Sequence, residues 1–321
     1  MLRATFDLRP PGSATVLVPL RGRLVSEHGS SVVVELPEDN WGANVNLLVS
    51  SLVAGEFMEA RAVTTCRLIG LELPDALLPG PAFGSVGRVS VGLIVKPALG
   101  LGPAEVADVV AAGVAGGVGF VKDDETLGDP PWCPLGERVT AVARVLEAGV
   151  VYCPNVTGPA ATLLARARAA VDAGATGLLV NPFAMGLDAL VTLRRAELGV
   201  PLFAHRAGSG PWARNASFGP TGAVLARLLR LCGADYVVAG GFGGTLFETD
   251  DEVRANLAAA RDRCGTARPA VAALGGGLGP DDVAAQVDAA GGGGLLALLG
   301  SRAYSYPRGV EAAVRRAVES L

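Results

Sequence analysis

From residue 89 onward one pattern recurs along the chain. A short run of β-branched or aliphatic residues leads into a glycine, proline or polar turn, and then into an alanine- and arginine-rich stretch with helical spacing. The runs 89–96, 118–122, 150–153, 177–180, 200–204, 236–239, 269–273 and 295–299 predict strands. The stretches 104–115, 135–148, 159–173, 187–197, 221–232, 250–263, 280–290 and 308–320 predict the helices between them. Runs such as LLALL (295–299) are apolar throughout instead of alternating, as expected of parallel strands covered on both faces. Eight strand–helix units within residues 88–321 come close to the ~250 residues of a (β/α)8 barrel. An open doubly wound sheet is the rival arrangement of the same units.

Residues 1–87 read differently. MLRATFDLRP, GRLVSEH, SSVVVELP and RAVTTCRLIGLEL predict strands, with a short apolar helix over 42–54 and a Pro/Gly-rich linker over 77–84. The expected fold is therefore α/β: a C-terminal TIM barrel, residues 88–321, preceded by a small N-terminal α+β domain, residues 1–87.

Composition narrows the function. Of 321 residues, 50% are apolar and 18% charged, which excludes a disordered chain; 44 glycines and 21 prolines exclude a long coiled coil. A net charge of −4 gives no positive field to hold nucleic acid or an anionic membrane. No run of ~18 apolar residues predicts a membrane span, and the charged start MLRATFDLRPPGS predicts no signal peptide. Five cysteines (Cys66, Cys133, Cys153, Cys232, Cys264) without CxxC spacing read as reduced thiols, so a cytoplasmic protein is expected.

Of 27 basic residues only two, Lys96 and Lys122, are lysine; the histidines are His28 and His205. Unlike arginine, a lysine amine can shed its proton and act as a base or capture CO2. Both lysines fall at predicted strand ends, where a barrel of this kind places its chemistry, together with Asp123, Asp124, Glu125, Asn155, Thr157, Asn181, His205 and Arg206. In KDDE (122–125), strand alternation puts Lys122 and Asp124 on one side, with Glu125 at the turn beyond. Two carboxylates offer a weak site for a hard divalent cation, and a carbamate formed on Lys122 would add a third anionic oxygen group. The alternative readings are a solvated acidic turn capping a helix, and a core histidine at 205. Gly275–Gly277 and Gly300, Ser301 and Arg302 follow the last two strands, where this fold habitually binds phosphate; Gly291–Gly294 read as tight turns.

GLIVKPALGL (92–101), GGVGFVKDDE (116–125), PLFAHRAGSG (201–210) and GSRAYSYPRG (300–309) resemble the large chain of ribulose bisphosphate carboxylase/oxygenase, RuBisCO. The resemblance is closer to the RuBisCO-like proteins (form IV), which keep the fold without fixing carbon. It implies a small-molecule substrate and a homodimer with active sites at the subunit interface. It implies that Lys122 is the carbamylated lysine and Asp124 and Glu125 its Mg2+-ligating partners. Lys96 would assist proton transfer, His205 face the substrate hydroxyls and Arg206 hold phosphate. Gly276, Gly277, Gly300 and Ser301 would supply phosphate-binding backbone, with Arg302 and Asn155 counted in the substrate-binding set.

The departures from the carboxylases bear on the reaction. Ala98 stands where they carry a second lysine, the loop 240–249 (GGFGGTLFET) has Thr245 or a neighbour where they carry another, and Val238 replaces a histidine. The segment between the first two strands is cut to about ten residues, and one phosphate subsite is weakened. The expected function is Mg2+-dependent proton abstraction, leading to enolisation, isomerisation or decarboxylation of a small phosphorylated keto-sugar, and not CO2 fixation. The rival is a non-catalytic scaffold or ligand-binding protein; a Schiff-base lysine enzyme ranks below both.

Overall fold

A computed structural model of the chain describes residues 1–74, 77–83, 89–263 and 265–321. The expected boundary between residues 87 and 88 and the thiol of Cys264 lie outside the described residues.

The N-terminal strands are β1 (Leu2–Arg9), β2 (Arg23–His28), β3 (Ser31–Leu36) and β4 (Thr65–Glu72). Along β1 every second residue (Leu2, Ala4, Phe6, Leu8) is buried, so the strand lays one apolar face on a core completed by Val32, Val34 and Leu36 of β3. β1 runs antiparallel to both β3 and β4. The short apolar helix expected over 42–54 forms as Val45–Leu48 followed by a wider π-turn over Val49–Val53.

Eight parallel strands follow: β5 (Val89–Ile94), β6 (Phe120–Lys122), β7 (Val151–Cys153), β8 (Leu178–Val180), β9 (Leu202–Ala204), β11 (Tyr236–Gly240), β12 (Val271–Leu274) and β13 (Leu295–Leu299). They hydrogen-bond in the order β7-β6-β5-β13-β12-β11-β9-β8. Between β7 and β8, Val156 N donates to Leu179 O at 2.9 Å and Leu179 N to Pro154 O at 2.9 Å, so the barrel nearly closes. All eight predicted runs are strands, and the bonds joining the first and last of the order set the open doubly wound sheet aside.

Besides short extra turns at Ala14–Leu20, Gly210–Ala213 and Ser301–Tyr304, three further differences from the expectation stand out. The helix expected over 135–148 ends at Ala143, and Val145 and Leu146 pack half-buried beyond its end. A one-turn helix, Pro182–Met185, precedes the helix Asp188–Arg195. A further strand, β10 (Phe218–Pro220), leaves the barrel after β9 and pairs in parallel with β4, joining the N-terminal sheet. Three residues reading FGP carry no periodic signal, and their strand exists only through β4, about 150 positions earlier in the chain.

Strand alternation sorts the barrel residues into two layers. Val121, Tyr152, Leu202, Ala204 and Val237 face the helices, whereas Phe120, Cys153, Leu179, Phe203, Ala273, Leu296 and Leu298 fill the interior with Tyr236 packed on them. Phe120 lies 5.6 Å from Phe203 and 4.8 Å from Tyr236, ring centre to ring centre, so the barrel is plugged by an aromatic layer. The next inward position on β6 and the one just beyond β9 are Lys122 and His205, directly above that layer.

Cys66, Cys133, Cys153 and Cys232 are buried free thiols. Burial pushes the Cys66 thiol up to about 12 and raises the other three as well. These four are expected to resist Ellman's reagent at pH 8 until the chain is unfolded; rapid reaction of any of them in the native protein contradicts this packing. Among the described residues, no helix is long and apolar enough to cross a membrane.

Candidate active site

The C-terminal ends of β5, β6 and β9 bring Lys96, Lys122, Asp124, Glu125, His205 and Arg206 to the rim of one cavity of about 430 Å3. Lys122 is fully buried. Its Nζ sits 5.6 Å from the centre of the Phe203 ring, donates to the Asp123 carbonyl at 2.9 Å and lies 3.8 Å from Glu125 Oε2. Burial, the largest influence, holds this amine below the usual lysine range, against the pull of Glu125, Asp124 and Asp123. The neutral form that can capture CO2 is thereby easier to reach.

Asp124 Oδ1 accepts from Thr126 N at 3.0 Å and from Thr126 Oγ1 at 2.6 Å, while Oδ2 accepts from Lys96 Nζ. Burial works to raise this carboxyl, but the Lys96 hydrogen bond and the two Thr126 donors outweigh it and hold the group low. His205 Nδ1 accepts from Ala207 N at 3.1 Å, so the ring proton is on Nε2, which stands 3.2 Å from Glu125 Oε2. Burial first, and Lys122 second, keep His205 well below its ordinary range and hence neutral.

Asp123 points the other way. Its Oδ1 accepts from Tyr152 Oη at 2.8 Å, and its Oδ2 from Asn155 N at 3.0 Å and from Arg138 Nε at 3.1 Å and Nη2 at 3.0 Å. Arg138 is itself fully buried and donates further to the carbonyls of Cys133 and Gly128. The KDDE turn is thus clamped from behind to the helix Leu135–Ala143 and to β7, which fixes the direction in which 122, 124 and 125 face. On β5, Tyr304 Oη donates to Ile94 O at 2.7 Å and accepts from Lys96 N at 2.8 Å, tying the Lys96 backbone to the last strand–helix unit.

The expected phosphate set stays together only in part. Gly276, Gly277 and Arg302 all line a neighbouring cavity of about 370 Å3, Gly276 borders the main cavity as well, and Gly300 and Ser301 line neither. The loop 240–249 makes the division: Thr245 N donates to Gly276 O at 3.2 Å, Leu246 faces the main cavity and Thr245 the other. A Cβ on Gly276 would sit 2.6 Å from Leu246, and its φ of +101° disfavours any side chain, so glycine is what lets this loop lie down. Arg302 donates to Gly277 O at 3.1 Å and pairs with Asp282 at the surface.

Asn155 sits behind the acidic turn instead of at the cavity, donating to Glu125 O at 2.9 Å and Asp124 O at 3.4 Å. Thr157 Oγ1 in turn accepts from Asn181 N at 2.9 Å. Arg206 lines the cavity, but its Nη1 is engaged by Glu248. The sequence reading singled out none of Arg138, Thr126, Tyr304 and Glu248. Only Thr126 had a local signal, a hydroxyl two residues after an aspartate.

The chain matches the family "Ribulose bisphosphate carboxylase large chain, catalytic domain" over residues 81–268. It is 32% identical over 259 residues, 75% of its length, to a ribulose bisphosphate carboxylase-like protein of Allochromatium vinosum. It is 33% identical over 263 residues, again 75% of its length, to a 3-oxo-isoapionate-4-phosphate transcarboxylase/hydrolase of Xanthobacter autotrophicus. The matched regions take in 56% and 62% of those two relatives' own lengths. A solved structure, the RuBisCO-like protein of Burkholderia fungorum, superposes with a TM-score of 0.89 at 25% identity, covering 99% of this chain and 93% of that one. With Lys96 of KPxxGL and KDDE meeting at one barrel rim, the family match spanning more than half of the chain and the superposition running through both sheets, the chain belongs to the RuBisCO large-chain family, alongside the RuBisCO-like proteins.

Proposed function

We propose that this chain is a Mg2+-dependent enzyme that removes a proton α to the carbonyl of a small, singly phosphorylated keto-sugar derivative, and that it does not fix CO2. One observation carries the reading: two amines, two carboxylates and a neutral imidazole converge on one concave rim above an apolar plug.

The donor set fits a hard divalent cation on one condition. Among the described residues no group of three or more His, Cys, Asp or Glu side chains stands together as a metal site. Asp124 and Glu125 supply two carboxylates, so Lys122, as a carbamate, would have to supply the third oxygen group. The ion would polarise the substrate carbonyl and stabilise the negative charge that develops on its oxygen. Lys96, whose amine borders the cavity and is partly exposed, is the base best placed to take the α-proton. His205, neutral and donating through Nε2, would hold a substrate hydroxyl, and the Gly276 backbone one end of the substrate's phosphate.

The absence of lysine from the loop 240–249 supports a reaction that stops short of carboxylation. The name of the Xanthobacter relative supports the substrate class, since it puts a carbonyl and a phosphate on one small sugar acid. The test is hydrogen–deuterium exchange at the α-carbon, followed by NMR in D2O with Mg2+ and bicarbonate, over a panel of phosphorylated keto-sugars and keto-sugar acids. Exchange with at least one member is expected. A second reading, a ligand-binding protein without turnover, is favoured by the ion pairs that already engage Lys96 and Arg206; tight binding of panel members with no exchange selects it.

A further inference from the structure

In the wall of the cavity, Arg206 Nη1 is paired with Glu248 Oε1. Both side chains are largely enclosed, Glu248 at only 3% exposure, and Glu248 Oε2 is buried without a hydrogen-bond partner. A carboxylate desolvated to that degree depends on its single guanidinium, so swinging Glu248 away would leave a buried charge with nothing opposite it. A phosphate dianion arriving at Arg206 would also meet Glu248 across the same guanidinium, two negative groups competing for one fork of donors. Ala207 and Gly208, which follow Arg206 into the cavity wall, and Leu246 and Phe247, which precede Glu248, carry no charge, and Glu248 itself stands behind that wall.

We propose that Glu248 is a specificity-determining residue that withholds Arg206 from phosphate, so that the cavity takes a substrate whose end beside Arg206 is uncharged and hydroxyl-bearing. The inference rests on the reading of this cavity as the active site, and it leaves the substrate's single phosphate to groups other than Arg206. Glu248 thereby does at the level of one side chain what a lost phosphate ligand would do elsewhere. It sits in the same loop that lacks the lysine, so one segment sets both the chemistry and the substrate's charge.

The probe is inorganic phosphate, titrated by calorimetry into the full chain; it needs neither metal nor turnover, so its outcome is separate from that of the exchange experiment. In the wild type, Arg206→Gln is expected to change phosphate affinity by no more than about twofold. Glu248→Gln, nearly isosteric, is expected to tighten phosphate binding by about tenfold or more, the worth of one charge-assisted contact. Adding Arg206→Gln to Glu248→Gln should remove that gain. If Arg206→Gln weakens phosphate about tenfold in the wild type, or Glu248→Gln brings no gain while its circular dichroism shows a folded chain, the proposal is overturned. Should Glu248→Gln not fold, the comparison of wild type with Arg206→Gln decides alone.

Discussion

Replacing Arg138 with methionine is expected to lower folding stability by about 3–5 kcal/mol, read as a shift of the urea midpoint at constant m-value. The size follows from what is left behind. Asp123 and Arg138 are both fully buried, and removing the guanidinium strands the Asp123 carboxylate in the layer between barrel and helices with only Tyr152 Oη and Asn155 N to hold it. The carbonyls of Cys133 and Gly128 lose their donors at the same time. Pairing Arg138→Met with Asp123→Leu should recover part of the loss, since an apolar pair leaves no uncompensated charge. A loss under about 1 kcal/mol for Arg138→Met alone contradicts the clamp. The same variant is also expected to weaken any cation held by Asp124 and Glu125 by about 10–100-fold, because the clamp sets their direction from behind.

The second large effect separates the two lysines. Lys96→Met is expected to slow α-proton exchange by about 10^2–10^4-fold, the usual contribution of a positioned base, while leaving Mg2+ affinity within about tenfold of the wild type, since Asp124 keeps both Thr126 hydrogen bonds. Lys122→Arg is expected to abolish exchange and Mg2+ binding together, because a guanidinium cannot become a carbamate. Both substitutions remove a lysine from the same rim, yet one should act on the rate and the other on the cation. If both variants lose Mg2+ equally, or Lys122→Arg keeps exchanging, the assignment of roles is wrong.

The reach of the sequence follows from how local each feature is. Strand alternation is a local property, so Phe120 and Phe203 in the barrel interior already imply that Lys122 and His205, each two positions later, face the same space. The rarity of lysine is legible by counting, and the eight strand runs by pattern. What escaped notice depends on partners far away in the chain. β10 exists through β4, Arg138 reaches back to Asp123, Tyr304 ties down Lys96, and Glu248 finds Arg206 only once β11 pairs with β9. The glycines show the same limit: the pattern places those after β12 and β13 in one phosphate site, but Gly276 borders both cavities, Gly277 only the second, and Gly300 neither. No spacing rule anticipates where a ten-residue loop comes to rest.

The central claim, that Lys122, Asp124 and Glu125 together seat a divalent cation through a CO2-derived group, is tested most directly by calorimetric titration of Mg2+ with and without bicarbonate, in the wild type and in Lys122→Arg. The account predicts one site per chain whose affinity rises with bicarbonate in the wild type, and no site in the variant under either condition. Bicarbonate-independent binding that survives in Lys122→Arg would contradict it.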